Sequence, residues 1–465
     1  MSLIEQTLET FFRSYPKKTV VIAYSGGVDS QVLLYSLARL RQAKRLDNPL
    51  MVCHINHGLS ENAALWQQSA ERECQKLGLE LICRQVTLDV SGSQSLEALA
   101  REARYQALQQ LAPKGALIIT GHHSDDQGET LLLALKRGAG LKGLSAMASV
   151  SVLGEHTLVR PLLALRRRNI EDYARQHNLS WIEDESNSDT RFDRNFIRHQ
   201  IMPLLTERWP SMVATMGRSS EHCREGQELL TELAQQDLAQ ATLSAKALSV
   251  PELEKLSKAR FNNLLRYFLE QHGCLMPSAE QLNQVHVQLG APADKTPAVK
   301  MADVWLRRYR DGLYLTGDFQ DISSWQQQLV IGGAGRAATI ELPDHLGMLC
   351  FSSSGDKEVV EHGLSPAKLE RKTLYLRPPQ ASEPVTVKFS HQNPRCLPDY
   401  RQHSRPLKKV LQELALPPWL RQRIPFIYYG ETLVAAAGYF VCKDYLAPKP
   451  GENNRAYLKV NWREQ

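Results

Sequence analysis

Apolar positions in the first 160 residues follow two alternating rhythms. Short unbroken apolar runs occupy 19–24, 50–55, 79–86 and 116–120, and predict strands. Between them, 31–40, 63–77, 95–111 and 126–136 carry apolar residues three and four apart, which predicts amphipathic helices. Strands that are apolar on both faces and alternate with helices predict a doubly wound α/β domain built on a parallel sheet. From about 215 to 300 the composition turns polar and the period helical, with candidate helices at 228–238, 251–256, 260–270 and 278–289. Phe261, Leu264, Leu265 and Phe268 read there as core. Apolar runs at 304–306 and 313–315 flank Asp311-Gly312, a hairpin signal that places Arg307, Arg308 and Arg310 on or near a turn. Between 318 and 380, glycine turns at Gly332-Gly333 and Gly355 separate short apolar runs. The expected organisation is an α/β domain over 1–214, a mainly helical domain over 215–318, a linker or the start of the last domain over 319–380, and a small basic α+β domain over 381–465.

In a doubly wound sheet, ligands collect beyond the carboxyl ends of the strands. The first strand runs into Ser25-Gly26-Gly27-Val28-Asp29-Ser30, and a strand that breaks at two glycines and restarts as a helix offers backbone N–H groups to a phosphate. The loop lacks the lysine of a Walker loop and the glycine spacing of a dinucleotide fold. The second strand ends in His54-Ile55-Asn56-His57-Gly58-Leu59, and the fourth in Gly121-His122-His123-Ser124-Asp125-Asp126-Gln127-Gly128-Glu129-Thr130. The histidines and carboxylates of the latter admit a transition-metal reading. Asp126 and Glu129, three apart on one helix face, suit shared oxygen coordination of magnesium bound to phosphates. The plainer alternative makes Asp125 the cap of that helix.

Composition narrows the setting. A chain of 465 residues is long enough for two or three cores, and its net charge of +6 permits a polyanionic partner. The eight cysteines form no C-x-x-C pair, and no apolar run approaches a membrane span, so a soluble protein of a reducing cytoplasm is expected. Between 388 and 423, Lys388, Arg395, Arg401, Arg405, Lys408, Lys409, Arg421 and Arg423 face only Asp399 and Glu413. Such a stripe, interrupted by Tyr400 and Trp419, suits an RNA backbone. Pro417-Pro418-Trp419 reads as a helix stop with a core anchor.

The glycine loop resembles the SGGxDS signature of the PP-loop ATP pyrophosphatases, which cleave ATP to AMP and pyrophosphate. Together with H-I-N-H-G-L and G-H-H-S-D-D-Q-G-E-T, it resembles the tRNA(Ile)-lysidine synthetase branch of that superfamily. The likeness continues through Arg160-Pro161-Leu162-Leu163, Trp181-Ile182-Glu183-Asp184-Glu185-Ser186-Asn187 and Asp193-Arg194-Asn195-Phe196-Ile197-Arg198. A second stretch, from Leu407-Lys408-Lys409 through Trp419 to Ala436-Ala437-Gly438, is similar to the C-terminal domain of the longer bacterial form. The resemblance implies adenylation by ATP of the wobble cytidine in an isoleucine tRNA with a CAU anticodon, followed by attack of free L-lysine. It implies ATP binding by Ser25, Gly26, Gly27, Val28, Asp29, Ser30 and His54. It implies that Asp29, Asp126 and Glu129 hold Mg2+, one of them serving as base. Arg101, Arg104, Arg194, Asn195, Arg198, Arg405, Lys408 and Lys409 become candidate contacts to substrate or tRNA, and dimerisation is left open. Ser60 stands where many relatives carry arginine. The competing readings are a PP-loop enzyme that places sulfur on a tRNA base, an amide-forming ligase, and a tRNA-binding protein with an inactive ATP site.

Overall fold

A computed structural model describes the chain except for 57, 59–61, 89–95, 291–295, 330–337, 354–372, 448–455 and 464–465. The expectations placed on His57, Ser60, Gly332, Gly333 and Gly355 lie outside the described residues. The chain divides into two compact units, Met1–Ala234 and Gln235–Gln465.

The first unit is built on a six-stranded sheet: β1 (Val20–Ala23), β2 (Leu50–Asn56), β3 (Leu81–Gln85), β4 (Leu117–Ile119), β5 (Val150–Leu153) and β6 (His156–Val159). Their spatial order is β3-β2-β1-β4-β6-β5. The expected parallel sheet is present in five strands, while β5 is an antiparallel edge joined to β6. Alternation along the strands divides the core in two. Val20, Ile22, Val52, Leu117 and Ile119 pack on one face with Leu8 of α1 (Leu3–Phe12) and Leu33 and Leu37 of α2 (Val28–Gln42). Val21, Cys53 and Ile118 pack on the other; α3 (Ala63–Leu77) follows β2, and α4 (Leu96–Leu111) contributes Ala107 and Leu108 to this second face. Strand order reverses between β1 and β4, so the crevice beyond their carboxyl ends is the natural ligand site.

In the second unit, the region expected to be mainly helical also holds a five-stranded sheet. Its strands, in spatial order, are Thr242–Ser244, Ala247–Ser249, Gly312–Gly317, Val304–Tyr309 and Ala298–Lys300. Most of them are too short for alternation to distinguish them from helix by pattern. Helices Lys258–Gln271 and Ala279–Leu289 bury Phe261, Leu264, Leu265 and Phe268 as expected. The hairpin is present, but its turn is Arg310-Asp311, with Arg310 at φ +52°, and Gly312 already pairs with Tyr309.

The described parts of 319–380 are not a linker. Gln326–Leu329 pairs with Val385–Lys388, and Met348–Ser353 pairs along its length with Leu458–Arg463, so these strands belong to the C-terminal domain. The expected boundary at 214 falls inside one continuous helix, Met212–Ala241.

Two close approaches seat the glycine loop. Gly26 has φ +86°, and a Cβ there would lie 2.7 Å from Ile182 Cδ1, whose own backbone N–H donates to Gly26 O at 2.9 Å. Gly121, just past β4, leaves room for the backbone of Asp29: a Cβ would stand 2.9 Å from that residue's carbonyl carbon and oxygen. Gly121→Ala is expected to lower the unfolding free energy by about 1–3 kcal/mol, because backbone rather than a yielding side chain must move. Urea denaturation of the two proteins measures this, and a difference below about 0.5 kcal/mol refutes the close-approach account.

Candidate active site

β1 gives way after Ala23, and α2 restarts at Val28 with Gly27 as its N-cap. Gly27 supplies no side-chain cap, so the helix begins with N–H groups and a positive dipole end directed outward. Ser30 closes the loop on itself: its Oγ donates to Gly27 O at 2.9 Å and accepts from Ser25 N at 3.3 Å, with Ser25 Oγ 3.1 Å away. Behind the loop, Tyr24 Oη donates to Gln31 at 2.6 Å and Gln31 Nε2 to Glu73 at 2.9 Å, a chain that ties α2 to α3.

The loop opens on a cavity of about 730 Å3. Ser25, Gly27, Asp29, Ser30 and His54 stand on its wall, as do Arg101, Arg104, Asp126, Arg194, Asn195 and Arg198. Gly26 and Val28 are not on that wall: Gly26 makes the turn, and Val28 packs into the core. Trp66, Tyr105, Asp184 and Phe192 also line the cavity. None of the four carries a sequence signal of its own: the aromatics read as core, and Asp184 reads only as part of the Trp181–Asn187 stretch.

Two wall histidines are held neutral by burial, which pushes both imidazoles below their ordinary pKa. His54 Nδ1 lies 3.0 Å from Tyr24 O, and His122 Nδ1 lies 2.8 Å from Thr120 Oγ1. Arg101 lies over the Tyr105 ring at 5.3 Å.

Two buried carboxylates and two partly exposed guanidinium groups form a four-charge cluster. Asp126 and Glu129 stand one turn apart on α5 (Ser124–Lys136), and Arg194 and Arg198 reach them from a short helix, Asp193–Phe196, that continues as a π-helical turn, Ile197–Ile201. Arg194 donates to Asp126 Oδ1 and Glu129 Oε2, each at 2.9 Å. Arg198 donates to Glu129 Oε1 at 2.7 Å, Glu129 Oε2 at 2.8 Å and Asp126 Oδ1 at 3.1 Å. Burial alone would lift the Asp126 carboxyl. His123, Arg194 and the His123 backbone N–H instead hold it well below the usual carboxylate range.

The expected trio of Asp29, Asp126 and Glu129 is therefore divided. Glu129 is spent on two guanidinium groups and does not reach the cavity wall, and no three such side chains gather as a cation site among the described residues. Asp29 differs. Burial, with the neighbouring Asp126 charge, raises its carboxyl above the ordinary value despite His123, Arg167 and Arg198 nearby. Its Oδ1 has no hydrogen-bond partner among the described residues and lies 3.6 Å from His123 Nε2.

The cap of α5 is His123 rather than Asp125: its Nδ1 accepts from Asp126 N, and Asp126 Oδ2 accepts in return from His123 N. Asp125 instead receives the Arg166 guanidinium and the Arg167 N–H, and so ties α5 to the start of α6 (Arg167–Gln176).

In the second unit the basic stripe is smaller than its count suggests. Arg423 is buried against Asp344, Arg421 donates to Leu416 O and Tyr309 Oη, and Arg401 and Arg405 share Glu413. Trp419 is a core anchor, edge-on to Tyr314 at 5.6 Å. Arg307 is drawn inward over the Trp305 ring at 4.8 Å and Arg308 donates to Leu289 O, so neither belongs to a freely solvated hairpin face. Helix Leu407–Glu413 buries Leu407, Val410 and Leu411, leaving Lys408 and Lys409 exposed beside Arg395 and Arg405.

A doubly wound sheet with a self-closing S-G-G-V-D-S loop at its switch point defines the PP-loop class of ATP-using proteins, and a family model of a PP-loop domain matches residues 1–205. Models of a TilS substrate binding domain and a TilS substrate C-terminal domain match 248–314 and 385–462. A tRNA(Ile)-lysidine synthase of Vibrio atlanticus is 39% identical over 463 residues, covering 95% of this chain and 97% of that protein. One of Actinobacillus pleuropneumoniae is also 39% identical, covering 95% of this chain and 100% of its own. The chain belongs to the tRNA(Ile)-lysidine synthase family.

Removing one member of the buried cluster strands the others. Glu129→Ala is expected to cost about 3–5 kcal/mol in urea unfolding, and replacing Glu129 and Arg198 together by methionine to cost less than the sum of the two single changes. Strict additivity would show that the groups act separately. The same cluster sets an acid limit. A carboxyl depressed in the folded state contributes stability above its unfolded value of 3.8 and loses it as pH falls toward about 2. Asp126→Asn should flatten that part of the stability profile.

Proposed function

We propose that the chain is a ligase that uses ATP to adenylate the wobble cytidine of an isoleucine tRNA with a CAU anticodon, and then joins free L-lysine to carbon two of that base. The cytidine O2 attacks the α-phosphorus and pyrophosphate leaves. The ε-amine of lysine then attacks carbon two and AMP departs with the former O2, so the products are lysidine, AMP and pyrophosphate. The observation that carries this reading is the uncapped start of α2 beside Asp29 on the cavity wall. Phosphate oxygens suit those N–H groups and the Ser25 and Ser30 hydroxyls. Arg194 and Arg198, held at the other side by Asp126 and Glu129, suit the charge that develops as the phosphate bond breaks.

The donor set fits magnesium through Asp29, whose Oδ1 has no hydrogen-bond partner among the described residues; Asp126 shares its cavity, but its oxygens already accept from Arg194, Arg198 and the His123 N–H. Asp29 would hold the ion together with phosphate oxygens, Asp126 joining it on giving up an arginine contact, and the ion would neutralise charge on the departing pyrophosphate. One of these carboxylates would orient the lysine ammonium and then accept its proton. Lys408, Lys409, Arg395 and Arg405 would meet tRNA phosphates by counterion release.

AMP release is expected to require both the CAU-anticodon tRNA and lysine. Equal release without lysine, or with a tRNA of another anticodon, would defeat the reading. Asp29→Ala should abolish AMP release while tRNA affinity in a gel shift stays within threefold; a tenfold loss, about 1.4 kcal/mol, would assign it to RNA binding instead. Lys408→Ala with Lys409→Ala should weaken tRNA binding and shallow the slope of log affinity against log salt by about 1–2. An unchanged slope removes them from the interface.

A further inference from the structure

Phe192 and Phe196 are large apolar side chains left in solvent beside a site that the rest of the unit shields. They are 44% and 45% exposed, stand four residues apart, and are linked by the Phe196 N–H donating to Phe192 O at 2.9 Å. Neither ring stacks on another aromatic side chain among the described residues. The segment that carries them is held rigidly: Arg194 and Arg198 anchor it to Asp126 and Glu129, and Asn195 donates to Asp189 O at 3.0 Å. Its two faces therefore differ in kind, with guanidinium groups turned to the buried carboxylates and flat rings turned to solvent. Phe192 also stands on the cavity wall.

The cavity, at about 730 Å3, is on the scale of a small-molecule pocket. It can admit one nucleotide beside ATP but not a folded stem, so an RNA base that reacts inside must leave its stack. Its neighbours in the strand then lose a stacking partner at the mouth. An exposed, anchored aromatic ring replaces that loss at about 1–3 kcal/mol per base and needs no particular base identity.

We propose that Phe192, extended by Phe196, is the stacking platform for the nucleobases that flank the extruded base of the RNA substrate. The proposal rests on the tRNA-modifying reading above. It commits to RNA as occupant because Arg101 and Arg104 line the same cavity wall in addition to Arg194 and Arg198, which Asp126 and Glu129 already pair, and guanidinium groups beside exposed rings suit a nucleic-acid strand.

The test uses the full-length protein, the CAU-anticodon tRNA transcript and an AMP-release assay. Phe192→Leu keeps apolar bulk and removes the flat π face, whereas Phe192→Tyr keeps the face. The platform predicts that KM for tRNA rises about tenfold or more in Phe192→Leu and stays within about twofold in Phe192→Tyr, with KM for ATP within twofold in both. The slope of log affinity against log salt should match the unaltered protein, because no phosphate contact is removed. Adding Phe196→Leu should weaken tRNA further. If Phe192→Leu binds tRNA like the unaltered protein, the ring is packing or a docking surface for something else, and the proposal fails. A rise in KM for ATP would instead place Phe192 against the nucleotide and overturn it. Should the unaltered protein release no AMP with this tRNA, the parent reading fails before the platform is tested.

Discussion

The buried pairing of Asp126 and Glu129 with Arg194 and Arg198 is the interaction on which the rest of the first unit's site depends. Taking the Asp126 and Glu129 carboxylates out of water costs more than any one pair returns, so the cluster persists only because each of them has more than one partner. What it contributes is position. It clamps a short irregular helix, which would not hold its conformation alone, onto α5, and so places two guanidinium groups across the cavity from the start of α2. The depressed Asp126 carboxyl and the raised Asp29 carboxyl are two results of one arrangement: Asp126 accepts hydrogen bonds from the cationic groups, whereas at Asp29 burial, aided by the Asp126 charge, outweighs the more distant ones.

The glycine loop follows the same logic from the opposite wall. Its shape is set by contacts distant in sequence, with Ile182 over Gly26 and Gly121 beneath Asp29. Motifs that a linear reading treats as separate signatures are thus parts of one packed object. The stretch around Trp181–Asn187 lies beside the loop, with Ile182, Asp184 and Asn187 on the cavity wall, and the stretch from Asp193 to Arg198 supplies the opposite charges.

Much of this was legible in the sequence. Unbroken apolar runs placed four strands within two residues; β1, β2 and β4 are central and largely buried, with no polar alternation to blur them, and β3 is the edge strand beside β2. Strand-end residues such as Ser25, His54 and Asp126 could be listed because the fold class gathers strand ends on one rim. Three things were not legible. Short strands such as Thr242–Ser244 and Ala298–Lys300 are stabilised by neighbours far along the chain, not by local pattern. That Asp126 and Glu129 meet two arginines while Asp29 meets none by hydrogen bond among the described residues is a matter of tertiary contact, and spacing on one helix face does not encode that. The basic stripe was overcounted because charge in a sequence carries no sign of direction, and Arg421 and Arg423 turn inward.

The π-helical turn at Ile197–Ile201 makes the length of this segment, and not only its residues, part of the chemistry. A π turn holds one more residue than an α turn, and each residue along an α-helix advances the direction of a side chain by roughly 100°. Loss of a single residue there would return the backbone to a regular helix and turn the part that carries Arg194 relative to the helix that follows, even where the deleted residue is not one of the arginines. The site is therefore sensitive in two ways: a lysine cannot replace the two-nitrogen fork of either arginine, and a one-residue deletion breaks the register of the segment that carries them.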